Sequence, residues 1–202
     1  MSLAIALDLE EVTNRRLLFD AGWLRLYERV TKVRGRLVRW VYCSRGKLDG
    51  IGRTEAVVVV PFVATSEGVK ILITKEFRSP LNCYEHGFPS GLIDPGESVE
   101  TTCARELEEE TGYRVKRILE RSPGGLVSSA GLSDETFQYF LVEAEEGAGQ
   151  RLETSELIEV MLLSLSELGG LFKSDAVLSG RLWALCHGFL TAGAFPMPAG
   201  DS

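Results

Sequence analysis

The amino-acid sequence predicts a mixed α/β fold, in which helices flank a mixed sheet as an α/β sandwich. A near-continuous run of β-branched residues at 55–64 indicates a buried strand. A helical pattern at 98–111 interrupts the series of strands. The order of strands, helix, strands and helix favours a sandwich over a regular βαβ series. Because 202 residues suit one domain with an extension, we expect an N-terminal strand extension at 1–50 and a main domain at 51–202.

The composition is that of an ordinary globular protein, with 45% hydrophobic and 25% charged residues. It argues against disordered, collagen-like and small disulfide-linked classes. The net charge of −7 argues against nucleic-acid or anionic-membrane partners, which require a basic surface. A small anionic ligand is still compatible with this charge, since a local basic pocket or a bound metal can hold it.

The sequence also bears on location. No apolar run approaches the roughly 20 residues that span a bilayer, and residues 1–12 lack the basic region of a secretory signal. The cysteines at 43, 83, 103 and 186 lack zinc-ligand spacing and are expected to be reduced thiols. We therefore expect a cytoplasmic protein.

Residues 22–48 alternate loosely between apolar and basic side chains. This pattern predicts two or three half-buried antiparallel strands with a basic turn near Gly35. The segment is cationic although the whole chain is acidic. It is therefore a candidate for holding an anionic group.

The main domain begins with a predicted hairpin. The strand at 55–64 is followed by a turn at 65–68 and a returning strand at 69–77. Residues 83–90 predict a short strand and a bend.

The helix at 98–111 has recognisable ends. Ser98 can cap its start after a Pro-Gly turn, and Gly112 stands where a left-handed C-terminal cap is expected. Val99, Cys103 and Leu107 recur at helical spacing and predict the face that packs on the core.

The rest of the chain predicts three more strands and two more helices. Ser166 is expected to begin a short helix, and Ser174 to cap a longer one at about 175–191. No dinucleotide fingerprint or phosphate-binding P-loop occurs. The strands are expected at 113–120, 135–143 and 158–165, separated by a loop at 122–133 and an acidic loop at 145–155.

Three glutamates on the 98–111 helix form the most informative pattern. Glu106, Glu109 and Glu110 share one helical face, where like charges repel, and Arg105 offsets part of this repulsion by pairing with Glu109. A Mg²⁺ ion would offset more, because it prefers carboxylate oxygens and substrate phosphates. Taken alone, the helix is better explained as a solvated acidic face.

The flanking residues decide between these interpretations. The stretch resembles the Nudix hydrolase signature Gx5Ex7REUxEExGU, where U is apolar, and every specified position matches. The resemblance implies an α/β/α sandwich and metal-dependent cleavage of a nucleoside diphosphate linked to another moiety, at a phosphoanhydride bond. The matching positions are Gly91, Glu97, Arg105–Leu107, Glu109–Glu110, Gly112 and Tyr113.

The resemblance also implies roles for individual residues. Glu106, Glu109 and Glu110 would ligate Mg²⁺, with Mn²⁺ as a substitute. Glu97 would support the site, and the carbonyl of Ser90 or its neighbour Gly91 would be a further ligand. Arg105 would orient a glutamate.

Residues before the signature resemble one branch of the family, the ADP-ribose pyrophosphatases and nucleoside-diphosphate-sugar hydrolases. The strand-ending sequence at 76–80 (EFRSP) leads into 88–91 (FPSG), as in that branch. Arg78 would then contact the diphosphate, to which a guanidinium fork is well suited. The alternative is an ordinary surface arginine.

The same branch implies roles for the N-terminal extension. Trp23, Trp40 and Arg45 occupy places resembling the tryptophan pair and arginine that surround the adenine. In the branch, N-terminal strands are exchanged between two subunits, so a homodimer is expected. Alternatively, both tryptophans are simply half-buried strand residues.

Glu156 resembles the mobile-loop glutamate of the branch and would be the general base that deprotonates the attacking water. The alternative is one more acidic loop residue. In the branch this glutamate comes just before a strand, as Glu156 does here.

Two positions depart from the branch. Ala130 stands where a proline associated with ADP-ribose preference is usual, and Gly87 stands where an acidic residue is frequent. Glu85 or Glu135 could supply the missing carboxylate. The resemblance to the branch as a whole implies hydrolysis of ADP-ribose to AMP and ribose 5-phosphate. The alternatives are another Nudix substrate, such as GDP-mannose or another dinucleotide, and a catalytically silent nucleotide sensor.

Overall fold

The computed structural model describes residues 9–12, 15–45, 54–154 and 156–196. The chain forms two compact units. The N-terminal unit consists of Met1–Arg53 with Gly125–Thr136, and the main unit of Thr54–Gly124 with Phe137–Ser202. None of the described helices is long and apolar enough to cross a membrane.

The N-terminal unit is built around an antiparallel sheet. Strand β3 lies at its centre and pairs with each of the other three strands. The turn after β3 uses Arg34 and Gly35, both with positive φ, as tight hairpin turns require. The predicted antiparallel strands and basic turn are confirmed. The strands are β1 (Leu9–Val12), β2 (Arg16–Asp20), β3 (Arg25–Val33) and β4 (Arg36–Ser44).

The strands that follow along the chain form a mixed sheet. Strand β5 pairs in parallel with β11 and antiparallel with β6 and β8, while β6 also pairs antiparallel with β7 and β12. The predicted mixed α/β fold is confirmed. The strands are β5 (Ala56–Thr65), β6 (Gly68–Arg78), β7 (Cys83–Gly87), β8 (Ser90–Leu92), β9 (Tyr113–Arg121), β10 (Leu126–Val127), β11 (Thr136–Glu146), β12 (Ile158–Leu163) and β13 (Val177–Leu178).

Helix α1 (Val99–Thr111) packs on this sheet through the predicted face. The Ser98 side chain accepts the Thr101 N–H at the start, and Gly112 ends the helix with a φ of 76°. Cys103 and Leu107 are buried against valines of β5 and against residues of β11. The apolar side of α1 is thus anchored, which directs its acidic side towards β8.

The two later helices begin at different residues from those predicted. Helix α2 (Leu165–Leu171) starts after Ser164, because Ser164 and Glu167 bond each other's backbone N–H in a capping box. Ser166 lies inside the first turn. The helix therefore begins at Leu165, one residue before the predicted start at Ser166.

Helix α3 (Gly180–Ala192) is capped by Ser179, so the prediction of a helix from about 175 with Ser174 as its cap is wrong at its start. The Ser174 hydroxyl instead donates to the Leu171 carbonyl and accepts the Ala176 N–H. The next residues form β13, which pairs in parallel with β7. Pairing with a distant strand overrides the local helical pattern.

Candidate active site

The acidic side of α1 faces strand β8. Glu106 and Glu110, one turn apart, are only 8% and 5% exposed. The Ser90 backbone N–H donates to the Glu110 carboxylate at 3.1 Å. A Cβ atom at Gly91 would collide with the Glu106 carboxylate, which would have to move to make room. The spacing of Gly91 and Glu106 in the signature therefore reflects direct contact.

Arg105 connects the other carboxylates. Its guanidinium donates to Glu97 at 3.1 Å and to Glu109 at 3.1 Å, and Nη1 lies 2.8 Å from a Glu106 oxygen. A further bond reaches the Leu92 carbonyl at 3.1 Å. The bonds from Arg105, with one from the Thr102 hydroxyl, lower the pKa of Glu97. Arg105 thus connects Glu97 to Glu109, and the supporting role of Glu97 stays a prediction.

The electrostatics of the two buried glutamates suit a cation. Burial raises the pKa of Glu106 to about 7, although Arg105 opposes the shift. Burial, and then the charge of Glu106, raise the pKa of Glu110 well above its usual range. Burial therefore disfavours the ionised carboxylates, and a hard divalent cation bound to their oxygens would offset that cost.

The carboxylates are not arranged as a closed ligand set. Across the described part of the chain, no group of three or more His, Cys, Asp or Glu side chains could hold a metal ion as it stands. Carboxylate oxygens of Glu106 and Glu109 contact Arg105, and Glu110 contacts the Ser90 N–H. The donor chemistry fits Mg²⁺, and ligation by Glu106, Glu109, Glu110 and Ser90 stays a prediction.

A second charged group forms at the end of β6. Arg78 Nη1 donates to Glu76 at 2.6 Å and Nε donates to Glu85 at 3.3 Å. The Arg78 side chain remains 43% exposed. The two carboxylates therefore hold the guanidinium in place while leaving it accessible to solvent.

Glu76 belongs to this charged group through its bond with Arg78, although no role was predicted for it. The pKa of Glu76 is raised, mainly by burial and also by the charge of Glu156, although the positive charge of Arg78 opposes the shift. The charge of Glu76 in turn contributes to the raised pKa of Glu110. The sequence does carry a signal for this pair. Side chains two residues apart on a strand point to the same face, so Glu76 and Arg78 share one face of β6.

Glu156 lies just before β12, and its carboxylate accepts the Glu153 N–H at 2.8 Å. Its charge contributes to the raised pKa values of Glu76, Glu106 and Glu110. The structure thus brings the loop glutamate to the same group of carboxylates. Its role as general base stays a prediction.

The two proposed substitutes for an acid at Gly87 lie in different places. Glu85 contacts Arg78 in the main unit. Glu135 belongs to the N-terminal unit, where it accepts a bond from Arg45 Nε at 3.1 Å. Glu85 therefore joins the group around Arg78.

Trp23, Trp40 and Arg45 all lie in the N-terminal unit. The Arg45 guanidinium is 5.1 Å from the Trp23 ring centroid, and Trp23 is 66% exposed in the turn before β3. The Trp40 indole N–H donates to the Gly131 carbonyl at 3.1 Å, beside Ala130, and Trp40 is 51% exposed. Both rings are more exposed than half-buried strand residues would be. Their binding role stays a prediction.

Comparison with known proteins decides the family. The NUDIX domain model matches residues 52–193, which is well over half of the chain. The chain belongs to the NUDIX family. The prediction of a Nudix enzyme, made from the signature around Arg105, is thereby confirmed.

Two relatives carry the same name. A protein of Bacillus subtilis called ADP-ribose pyrophosphatase is 34% identical over 125 residues, which cover 61% of this chain and 66% of that protein. The chain thus spans just under two thirds of this relative. A protein of Saccharomyces cerevisiae with the same name is 29% identical over 191 residues, covering 86% of this chain and 79% of the relative.

A solved structure shares the Nudix fold. The crystal structure of an ADP compounds hydrolase superposes with a TM-score of 0.65 at 19% identity, covering 91% of this chain and 92% of the other. At this identity the likeness shows the fold alone. It agrees with the predicted sandwich.

Proposed function

We propose that this chain is a Mg²⁺-dependent hydrolase of nucleoside-diphosphate sugars that converts ADP-ribose to AMP and ribose 5-phosphate, with Mn²⁺ able to replace Mg²⁺. The observation that carries the proposal is the buried carboxylate pair of Glu106 and Glu110 beside β8, with Arg105 holding Glu97 and Glu109. The names of the two relatives support the substrate.

In this proposal Glu106, Glu109, Glu110 and the Ser90 carbonyl hold the metal. When bound, a divalent cation supplies neutralisation of the diphosphate charge and lowers the pKa of a water molecule. Arg105 fixes the rotamer of Glu109, since one guanidinium nitrogen bonds it directly.

Arg78 binds the diphosphate of the substrate. Its guanidinium is exposed enough to reach an anion, and Glu76 and Glu85 restrict its motion. A planar fork that is held in advance loses less conformational entropy when it binds phosphate oxygens.

Glu156 acts as the general base. It accepts a proton from the attacking water as the water oxygen bonds to phosphorus and the bridging P–O bond breaks. Its position near Glu106 and Glu110 supports this assignment, because the attacking water must lie near the metal ligands. A loop position also suits closure over the substrate before the reaction.

The N-terminal unit supplies the adenine site and the dimer contact. Trp23 and Trp40 present large exposed ring surfaces, and stacking on a base contributes roughly 1–3 kcal/mol. Arg45 lies against Trp23 and adds positive charge there. Exposed apolar side chains on β2 and β4 support a homodimer formed through these strands: Leu17, Phe19, Leu37, Val38 and Val41.

The acidic net charge and the four cysteines without zinc-ligand spacing support two further parts of the proposal. The protein acts on a small molecule in the cytoplasm, and it has neither nucleic-acid nor membrane partners. Light scattering at micromolar concentration tests the dimer, and a monomer would remove the exchanged-strand arrangement.

The substrate is tested by incubating the purified protein with Mg²⁺ and a panel of nucleotides, then measuring phosphate released by added phosphatase. The panel contains ADP-ribose, ADP-glucose, GDP-mannose, UDP-glucose, NADH and diadenosine polyphosphates. Preference for ADP-ribose supports the proposal. Turnover of GDP-mannose with inert ADP-ribose overturns the substrate, and tight ADP-ribose binding without turnover indicates a sensor.

Ala130 provides a second arm of this experiment. Ala130→Pro restores the residue that the ADP-ribose branch usually carries. If the proposal holds, this variant leaves ADP-ribose among the preferred substrates. A switch in preference towards ADP-ribose only in the variant would assign the natural chain to another nucleotide sugar.

A further inference from the structure

The C-terminal end of α1 is closed by a distant loop. The last carbonyls of a helix have no partner within the helix. Here the Arg151 N–H donates to the Glu109 carbonyl at 2.9 Å, and the Gly147 N–H donates to the Gly112 carbonyl at 2.9 Å. The Gln150 side-chain amide donates to the Glu110 carbonyl at 2.7 Å.

The Gln150 side chain makes a second hydrogen bond, whereas the backbone N–H groups of Arg151 and Gly147 each make only the one to α1 or Gly112 given above. The same Nε2 atom donates to the Ile158 carbonyl at 3.2 Å, and a primary amide has two hydrogens for these two acceptors. Ile158 begins β12, two residues after Glu156. One amide therefore connects the helix that carries Glu110 to the strand that follows Glu156.

Two glycines, Gly112 and Gly147, allow this close approach. A Cβ atom at Gly112 would lie 2.7 Å from backbone atoms of Gly149. Gly112 also takes the positive φ that a left-handed helix end requires. The loop thus lies directly against the helix end, where the Gln150 side chain reaches both carbonyls.

We propose that Gln150 is a positioning residue for hydrolysis, which holds Glu156 at a set distance from the carboxylates of α1. The inference rests on the proposed role of Glu156. Gln150 acts only through the backbone of Glu110 and Ile158. Its substitution should therefore slow the chemical step more than it weakens substrate binding.

Three variants separate the amide from the rest of the loop. Gln150→Leu keeps the approximate volume and removes both donors, and Gln150→Asn keeps the amide but shortens its reach. Arg151→Ala is the matched control, because its side chain makes only a 3.5 Å ion pair with Glu108 at the surface, and such pairs contribute little.

With ADP-ribose and Mg²⁺, Gln150→Leu is expected to lower kcat by about tenfold, in line with the sensitivity of catalysis to small misplacements, with KM changed less than about twofold. Gln150→Asn should recover part of this loss, and Arg151→Ala should match the natural protein. A kcat that is unchanged in Gln150→Leu, or a loss confined to KM, would overturn the proposal.

A double variant identifies the residue through which Gln150 acts. In a Glu156→Gln background, adding Gln150→Leu should cause little further loss of kcat, since the base that it positions is already removed. Multiplicative losses would instead show an action independent of Glu156.

Amide hydrogen exchange tests the connection without any turnover. Gln150→Leu should speed exchange at 109–112 and 156–158, whereas Arg151→Ala should not. Unchanged exchange would overturn the positioning role even in an active enzyme. Absence of nucleotide-sugar turnover in the natural protein would instead overturn the proposed function.

Discussion

The acidic side of α1 and the N-terminal unit differ in how far their candidate functional side chains are exposed to solvent. Glu106 and Glu110 are buried and held by Arg105, the Ser90 N–H and the close approach of Gly91. Trp23 and Trp40 are more than half exposed. Trp23 lies against the Arg45 guanidinium, and the Trp40 indole N–H donates to the Gly131 carbonyl.

This difference fits the roles that we propose for the two regions. Reactive groups require a geometry that is set before the substrate arrives, because small misplacements cost rate. Groups that recognise a flat base need open ring surface, which a ligand or a second subunit can cover. We therefore expect substitutions near α1 to change kcat, and substitutions in the N-terminal sheet to change KM.

The largest effect is expected at the helix. Glu109→Gln and Glu110→Gln should each lower kcat by about 10²–10³ in steady-state assays, because each removes charge arranged in advance for the metal. Glu108→Gln is the matched control on the same helix, since the Glu108 carboxylate makes a surface ion pair with Arg151 at 3.5 Å. Natural rates in both test variants would remove the metal role.

The stability of the metal-free protein should also depend on the buried charges. The pKa of Glu106 rises from 4.5 to about 7 on folding, so its contribution to stability is complete below pH 4.5 and is lost as the pH rises through 7. The free energy of unfolding, from denaturant titration in EDTA, should fall across this window by on the order of 3 kcal/mol.

Added Mg²⁺ should reverse this fall, and Glu106→Gln should reduce it, with the remaining fall coming from Glu110, whose pKa is also raised. Glu97 has a lowered pKa, so it weakens stability only as the pH falls below about 4.5 and does not mask the effect. A free energy of unfolding that is constant across the window would contradict the burial of an ionised Glu106.

Removal of the proposed base should have a slightly smaller effect. Glu156→Gln is expected to lower kcat by about 10² with little change in KM. A factor of about 10² is the lower end of the rate enhancement from general base catalysis. Glu153→Gln serves as the control, because Glu153 contacts Glu156 through its backbone N–H. An unchanged kcat in Glu156→Gln would exclude the assignment.

The smallest effect is expected in the N-terminal sheet. Trp23→Ala should raise the KM for ADP-ribose by about tenfold, which corresponds to one lost base stack, while kcat changes little. Trp183→Ala removes a tryptophan of α3 that stacks on His187 and should leave both constants unchanged. If Trp23→Ala instead lowered kcat alone, the contrast between the two regions would not hold.

Much of the candidate site could be predicted because its pattern is local. Glu106 and Glu110 follow from helical spacing, and Gly91 and Glu97 lie at set distances along the chain. The pairing of Arg78 with Glu76 and Glu85 depends on how β6 and β7 align. Gln150 carries no signal of its own, since its partners lie on α1 and β12.

The sequence by itself determined helix α1, with Ser98 and Gly112 at its ends and its acidic face, since capping and helical spacing act within a few residues. Only the tertiary structure decided that α3 starts at Ser179 and that Gln150 connects α1 to β12. In both cases the deciding hydrogen bonds join residues far apart in the chain, so no local pattern records them.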